Sequence, residues 1–136
     1  MIKETREDYL RAIYHISEEN EAQDVSSIDI SRYLKVSKSS ISEMLRKLSK
    51  EGLIHLTRYG KVRLTNKGLA ESINITRRHR TIEVFLSDIL KIRNSSLHEE
   101  AHRLEHAFSD ESIKSLTKLT KNREQCPHGK PIPNVI

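Results

Sequence analysis

The order of patterns between Ser26 and Leu64 constrains the fold more than any other feature of the chain: two short helical patterns, a turn between them, and an alternating segment. The first helix is predicted after a cap at Ser26 or Ser27, and the second after a cap at Ser37 or Ser39. In both helices the apolar positions recur at helical intervals: Ile28, Ile30, Leu34, Ile41, Leu45 and Leu48. Two helices joined by so short a turn have the spacing of a helix-turn-helix.

The segment LIHLTRYGKVRLT follows directly and alternates as strands do over residues 53–57 and 61–64. Arg58, Tyr59 and Gly60 make the connection between the two predicted strands. A β-hairpin placed directly after a helix-turn-helix is a wing, so this part of the chain is expected to form a winged helix.

Helical periodicity dominates the rest of the chain. We expect an amphipathic helix at about 3–19, a long helix from a Thr65 cap to about Ile92, and two shorter helices at 97–108 and 109–119. The tail QCPHGKPIPNVI has no helical period. The predicted fold class is mainly α, with a winged helix-turn-helix domain at 1–68 followed by an all-helical domain at 69–136.

Several sequence features bear on the compartment. No apolar run approaches the ~20 residues of a transmembrane helix, and the first ten residues carry charges where a signal peptide would be apolar. Cys126 is the single cysteine of the sequence, so no disulfide can form within the chain. We therefore expect a cytoplasmic protein with no membrane partner.

Positive charge is concentrated in the predicted winged helix. Ten Lys or Arg residues lie between Arg32 and Lys67 against two Glu, a net charge of +8, whereas the whole chain carries +5. A basic run alone is more often a solvated face. Because this run coincides with a helix-turn-helix, the two signals together indicate a double-stranded DNA partner.

The second helix of the motif is the predicted reading helix. Its apolar stripe faces the core, which leaves small hydroxyl side chains near its N-terminal end and basic side chains further along on the opposite face. Small residues allow close entry into the major groove, and Lys and Arg contact the phosphate backbone. The predicted DNA-binding residues, two of them in the wing, are Ser37, Lys38, Ser39, Ser40, Ser42, Arg46, Lys47, Lys50, Arg58 and Lys61.

Histidines and carboxylates form a second pattern in the C-terminal half. The segment LHEEAHRLEHAF places four possible ligands within about a quarter-turn of a helix: His98, His102, Glu105 and His106. In the preceding long helix, His79 and Glu83 stand at i and i+4 and can converge on one ion. Imidazoles combined with carboxylates suit Mn(II), Fe(II), Co(II), Ni(II) or Zn(II).

Three other interpretations use some of the same residues. A solvated polar helix face accounts for the histidine spacing without any metal. The spacing H-x3-H-x2-E-H also resembles a hydrolytic metal site, but the sequence has neither a Gly-rich loop nor a paired nucleophile and base. A winged-helix repressor controlled by a small organic ligand would use the same helices and leave the histidines unexplained.

The chain resembles the diphtheria-toxin-repressor and manganese-transport-regulator family of metal-dependent repressors. The resemblance is carried by EDYLRAIY, VSKSSISEMLRKLSKEGLI, LTNKGLA, RRH at 77–79, HRLEHAFSDE and CPHGKPIP, in the expected order and over nearly the whole sequence. It implies an N-terminal winged helix and a helical dimerisation and metal-binding domain. Longer family members also carry a C-terminal SH3-like domain, and the sequence ending at Ile136 is expected to be the form without it.

The resemblance also implies two sets of metal ligands. The primary set is Asp8, His102, Glu105 and His106, and the second set is His79, Glu83 and His98. The iron branch of the family typically has Met and Cys at the positions of Asp8 and His102. The manganese branch has Asp and Glu there, with a further Glu where this chain has Arg11. The chain is therefore a hybrid of the two branches, and the Asp8/His102 pair fits Mn(II) or Fe(II).

The expected function follows from the DNA-binding and metal-ligand patterns together with the resemblance, which implies repression of metal-uptake genes. We predict a transcriptional repressor, not an enzyme, that binds operator DNA as a homodimer when Fe(II) or Mn(II) is bound and that controls metal-uptake genes. Co(II), Ni(II) or Zn(II) are expected to substitute in vitro, and no organic substrate is expected.

Overall fold

The structure is a computed structural model that describes residues 5–57, 59–92, 96–120 and 125–133. The chain divides into two compact units, residues 1–75 and residues 76–136. Among the described residues, no helix combines the length and the apolar character needed to cross a bilayer.

The first unit is a winged helix. Its elements are α1 (Arg6–Asn20), β1 (Val25–Ser26), α2 (Ser27–Leu34), α3 (Lys38–Lys50), β2 (Ile54–Leu56), β3 (Lys61–Leu64) and the start of α4 (Asn66–Asp88). The three strands form one antiparallel sheet in the order β1-β3-β2, with Val25 opposite Val62 and Ile54 opposite Leu64. The predicted helix-turn-helix and hairpin are therefore confirmed, and the structure adds β1, which the sequence analysis did not predict.

The helix ends of the first unit form where the sequence supplies caps. Thr5 and Asp8 form a capping box at the start of α1, and the hydroxyls of Ser26 and Ser37 accept backbone N–H groups of α2 and α3. The apolar stripes of these helices then meet in one core, whose fully buried members include Leu10, Ile13, Ile30, Leu48 and Leu53.

Gly68 allows the start of α4 to lie directly against the end of the turn before β2. A Cβ atom at this position would fall 1.9 Å from the carbonyl oxygen of Leu53. Thr65 fixes the same junction, because its hydroxyl accepts from the Gly68 N–H at 3.0 Å and donates to the Gly52 carbonyl at 2.7 Å. A glycine is thus required here by close approach of two backbones.

The second unit consists of the rest of α4, α5 (Ser96–Glu105), α6 (Asp110–Leu119) and the tail. Its core contains Ile82, Leu86, Leu97, Ala101, Ile113 and Leu116. In the tail, Gln125 pairs with Pro131, and the Cys126 N–H donates to the Lys130 carbonyl at 2.9 Å, which closes a tight turn around Gly129.

Two predicted helix ends were wrong. α4 ends at Asp88 and not near Ile92, because the N–H of Leu90 bonds back to Phe85 and Lys91 takes the left-handed conformation, φ 61°. α5 ends at Glu105 and not at Phe108, because the N–H groups of Ala107 and Phe108 both bond to the Leu104 carbonyl in a turn. The chain then becomes extended at Ser109, which caps α6. His106 therefore follows the last residue of the helix.

We predict that Gly68→Ala destabilises the first unit although alanine is the better helix former. Relief of the glycine penalty stabilises a helix by about 1 kcal/mol, whereas the overlap with the Leu53 carbonyl costs about 1–3 kcal/mol. Urea unfolding followed by circular dichroism measures the balance. Asn74→Ala, at an exposed position of the same helix, is the control and is expected to be neutral; equal stability of both variants would contradict the close contact.

Candidate metal centres and DNA-binding surface

The exposed face of α3 carries the residues predicted to bind DNA. Ile41, Leu45 and Leu48 are buried on one side of the helix. All nine described members of the predicted set are exposed: Ser37, Lys38, Ser39, Ser40, Ser42, Arg46, Lys47, Lys50 and Lys61. Arg58 lies outside the described residues. The separation of the apolar and polar faces is therefore that of a helix free to enter a groove.

The N-terminal end of α3 holds a cluster of hydroxyl groups. Ser37 accepts the Ser40 N–H at 3.2 Å, and its hydroxyl lies 3.1 Å from that of Ser39 and 3.0 Å from that of Ser40. Ser37 is thus committed to capping the helix, and Ser39 and Ser40 are the more available hydroxyls. At the wing tip, Tyr59 is 88% exposed beside Gly60, and exposure of this kind could not be read from the sequence.

A buried carboxylate in α4 forms the centre of the first candidate metal site. Glu83 is 3% exposed, and its Oε2 lies 3.6 Å from His79 Nε2, 3.7 Å from His98 Nδ1 and 3.3 Å from His128 Nδ1. His79 Nε2 and His98 Nδ1 are 3.1 Å apart. The structure thus brings together the three residues of the predicted second set and adds a fourth side chain.

The Glu83 cluster fits a divalent ion on its own geometry. Among the described residues, Glu83 Oε2 has no hydrogen-bond partner although it is buried, a state that costs free energy unless something else satisfies the oxygen. Two ligands about 2.1 Å from one ion at tetrahedral angles lie roughly 3.4 Å apart. The separations of 3.1–3.7 Å between the nitrogen and oxygen atoms agree with that spacing.

The tail contributes residues that the sequence analysis did not assign. Cys126 and His128 form, with Glu83, a further group whose potential ligand atoms all lie within 4.8 Å of one another. Cys126 is buried, whereas the side chains of His98 and His128 are 51% and 52% exposed. The buried Glu83 and Cys126 therefore form the inner side of the cluster, and the half-exposed His98 and His128 leave an opening through which an ion can enter. The sequence signals were the motif CPHGKPIP of the resemblance and, within it, a histidine two residues from a cysteine in a tail without helical period.

Electrostatics at the cluster favour an ionised carboxylate. Burial opposes ionisation of Glu83, but contacts with His79 and His98 and the charges of His79 and His128 outweigh burial and hold the pKa of Glu83 below its ordinary value. Burial raises the pKa of the Cys126 thiol. The carboxylate is thus the anionic ligand at neutral pH, and a metal would have to displace the thiol proton to use Cys126.

The second candidate group lies at the end of α5. His102, Glu105 and His106 each offer a ligand atom within 4.8 Å of the others, and the His102 and His106 rings lie edge to face with centroids 5.2 Å apart. Glu105 is 6% exposed. Its Oε1 is 4.0 Å from His106 Nε2, and its Oε2 is 3.1 Å from His79 Nδ1.

Arg78 fixes the backbone that carries this group. Its guanidinium donates to the carbonyls of Glu105 at 3.2 Å and Phe108 at 2.6 Å, and pairs with Asp110 at 2.6 Å. These bonds satisfy carbonyls that the end of α5 leaves open. Arg78 was part of a quoted sequence motif but was not assigned a role, because helical periodicity gives no sign of which groups a long arginine side chain reaches.

Asp8, the remaining member of the predicted primary set, belongs to the first unit. It is 1% exposed; its Oδ2 accepts the Thr5 N–H at 2.7 Å and the Thr5 hydroxyl at 3.1 Å, and its Oδ1 lies 3.5 Å from the Arg11 guanidinium. The side chain is therefore held in one orientation by the capping box.

A winged helix with an exposed basic reading helix, followed by a helical unit with histidine–carboxylate groups, defines a DNA-binding protein class with a candidate metal-responsive domain. Residues 1–62 match the family described as iron dependent repressor, N-terminal DNA binding domain, and residues 65–134 match iron dependent repressor, metal binding and dimerisation domain. The chain belongs to the iron-dependent repressor family, as the resemblance in the sequence indicated.

Individual relatives agree with this assignment. The chain is 32% identical over 132 residues to the diphtheria toxin repressor of Corynebacterium efficiens, covering 97% of this chain and 56% of that protein. It is 34% identical over 110 residues to an uncharacterized HTH-type transcriptional regulator of Methanocaldococcus jannaschii, covering 81% and 87%. A solved structure of the manganese regulator SloR matches with a TM-score of 0.86 at 37% identity, covering 98% of this chain and 61% of that one. The chain thus spans little more than half the length of the diphtheria toxin repressor.

We predict that His128→Ala weakens metal binding at the Glu83 cluster. Removing one of four nitrogen or oxygen donors should cost at least as much affinity as loss of an outer-shell partner, about 10–100-fold. Equilibrium dialysis with Mn(II) and the visible absorption of bound Co(II) measure this. His55→Ala, at an exposed position of β2, is the matched control, and wild-type affinity in His128→Ala would remove His128 from the site.

Proposed function

We propose that the protein is a cytoplasmic metal-dependent transcriptional repressor that binds operator DNA as a homodimer when Fe(II) or Mn(II) is bound, and that it controls metal-uptake genes. In this proposal residues 1–68 bind DNA and residues 69–136 bind metal and dimerise. No residue is given a catalytic role.

The observation that carries the proposal is the convergence of three imidazoles on the buried Glu83 carboxylate, in a chain whose other unit presents an exposed basic reading helix. A solvated polar helix face would leave the carboxylate in water. An organic effector would have no use for imidazole nitrogens spaced 3.1–3.7 Å from each other and from a carboxylate oxygen.

We assign the metal ligands in two sets. The primary set is Asp8, His102, Glu105 and His106, and the second set is His79, Glu83 and His98, to which we add His128. Nitrogen and oxygen donors of this kind suit Mn(II) and Fe(II). Relatives named for iron and for manganese support the choice of these two ions. The Arg11 guanidinium beside Asp8 brings a positive charge where the manganese branch has a further carboxylate, which favours one ion in the primary set.

The proposed switch links DNA binding to the ion. Asp8 lies on α1 of the DNA-binding unit, whereas the other primary ligands lie at the end of α5. An ion ligated by both would fix the separation of the two reading helices of a dimer, which must match about one DNA turn, near 34 Å, or a multiple. Binding energy at the ion then selects the DNA-competent arrangement, and DNA in turn tightens metal binding.

The homodimer is supported by apolar residues left exposed in the second unit. Ile89 is 45% exposed, Leu90 52% and Leu119 53%. A second copy of the chain is the natural cover for side chains of this kind in a protein that reads a two-fold DNA site.

We predict that Asp8→Asn abolishes the metal response of DNA binding and leaves a folded but less stable winged helix, because the buried Arg11 guanidinium loses the carboxylate charge that lies 3.5 Å from it. The amide oxygen keeps an acceptor for the capping box of α1, but the neutral side chain is a poor ligand for a hard divalent ion. A DNA duplex is first selected from a random pool with the Mn(II)-loaded wild type. The affinity of the wild type and of the variant for this duplex is then measured with and without Mn(II).

Asp24→Asn is the control for the Asp8 test, because Asp24 is an exposed carboxylate of the same unit paired with Arg63 at 2.8 Å. It should respond to Mn(II) as the wild type does. A normal Mn(II) response in Asp8→Asn would disprove the switch, whereas loss of the wild-type thermal transition would show that the substitution damaged the fold.

We also predict that Arg46→Ala weakens DNA binding and flattens its dependence on salt. Each phosphate contact contributes about 0.9 to the slope of log affinity against log salt concentration, and Arg46 is exposed on the reading face. Fluorescence anisotropy from 50 to 300 mM salt, on the order of the range where such slopes are measured, gives the slope. Lys114 is exposed in α6, and Lys114→Ala should leave the slope unchanged. An unaltered slope in Arg46→Ala would show that Arg46 does not contact the DNA phosphate backbone.

A further inference from the structure

Glu43 is the one acidic residue of α3, and it lies on the face that carries the predicted DNA-binding residues. At 100° per residue, its side chain leaves the helix within roughly 20° of the direction opposite the buried stripe of Ile41, Leu45 and Leu48. The side chain is 67% exposed. Among the residues of the first two turns of α3, Glu43 is therefore the one nearest to the middle of the exposed face.

The position of Glu43 along α3 also suits contact with bases. In helix-turn-helix proteins the N-terminal residues of the reading helix contact base edges in the major groove. Glu43 lies on the second turn of α3, one turn after Ser39 and Ser40. The short side chains of these serines allow this end of the helix to approach the bases closely, and the longer glutamate side chain then reaches further into the groove than they do.

Contacts within the protein do not account for a carboxylate at this position. In the part of the chain that the structure describes, the one ionic partner of Glu43 is Lys47, with Oε1 3.7 Å from Nζ. Lys47 is 64% exposed, and a solvated ion pair within one helix contributes little stability. Glu51, the other glutamate of the basic stretch, instead pairs with Arg6 of α1 at 3.2 Å and so connects two helices.

A carboxylate on this face is repelled by the phosphates of DNA unless a base supplies a hydrogen-bond donor to it. In the major groove the donors are the amino groups at N4 of cytosine and N6 of adenine, whereas guanine and thymine present acceptors. Beside the adenine amino group lies the N7 acceptor, which repels a carboxylate. Cytosine presents its amino group alone and is the base that suits an acceptor-only side chain.

We infer that Glu43 contacts a cytosine in each half-site of the operator, with its carboxylate accepting from the N4 amino group in the major groove. This inference rests on the proposed function, because it requires DNA as the partner. The Lys47 ammonium, 3.7 Å from the carboxylate, offsets part of the repulsion between Glu43 and the phosphates. Glu43 thus adds sequence preference and lowers general affinity for DNA, whereas Lys and Arg side chains on the same face raise general affinity.

The experiment compares the base preferences of the wild type, Glu43→Ala and Glu43→Gln. Each full chain, with excess Mn(II), selects duplexes from a random pool, and fluorescence anisotropy then gives the affinities. We expect the wild type to select cytosine at one position of each half-site. Replacing this cytosine by thymine in one half-site should weaken wild-type binding about 5-fold or more, the effect of losing one base contact.

The two variants should differ from the wild type in opposite ways at this position. Glu43→Ala should bind the cytosine and thymine duplexes with equal affinity, because alanine has no acceptor. Glu43→Gln should select adenine there, because a glutamine amide both accepts from N6 and donates to N7 of adenine. Glu7→Gln is the matched control: it makes the same change at an exposed position of α1 in the same unit and should keep the wild-type preference.

The outcomes separate this inference from the proposed function. If the wild type selects no duplex with or without Mn(II), the proposed function fails. If the wild type selects a site and Glu43→Ala keeps every base preference of that site, the protein still binds operator DNA but Glu43 does not contact a base. In that case the substitution should only tighten binding to all duplexes, because it removes a negative charge near the phosphates. Retention of cytosine by Glu43→Gln would also overturn the inference.

Discussion

The carboxylate of Glu83, buried in α4 and kept ionised, is the group around which the second unit is arranged. An unpaired buried charge costs several kcal/mol, on the order of the total stability of a small domain. Here imidazoles from α4, α5 and the tail face it at 3.3–3.7 Å, and none of the three is adjacent to another in sequence. Residues of α4, α5 and the tail therefore meet at the Glu83 carboxylate. Apolar packing of these three segments alone would not bury this charge.

Polar and apolar side chains also have separate roles in the first unit. Polar groups cap the ends of the helices, and apolar stripes determine which faces of the helices are buried. Ser37 is a cap and is therefore a poor candidate for direct base contact, although the sequence places it beside Ser39 and Ser40. The exposed residues of α3 were predictable because a 3.6-residue period assigns every position of an amphipathic helix to a face. The exposure of Tyr59 was not predictable, because it depends on the conformation of the hairpin tip and not on a periodic pattern in the sequence.

What the sequence could predict was decided by the range of the interactions involved. Caps, helix periods and the i, i+4 pair of His79 and Glu83 are local, and the structure has them as expected. β1 is two residues long and exists because Val25 pairs with Val62, 37 positions away in the chain. The early end of α5 depends on the cap at Ser109 and on Arg78, and the position of His128 depends on a tail turn closed by Lys130. None of these leaves a periodic signal.

Asp8 shows how a structural role and a proposed ligand role can reinforce each other. Its Oδ2 accepts two hydrogen bonds from Thr5, so the carboxylate is ordered by the start of α1 before any ion is present. A ligand already ordered loses little conformational entropy on binding, which otherwise offsets part of the affinity. Because the same carboxylate caps α1, an ion held there, as proposed, would act on the position of a whole helix and not on one flexible side chain. A device of that kind can transmit metal binding to the winged helix, since α1 shares its core with α2, α3 and the sheet.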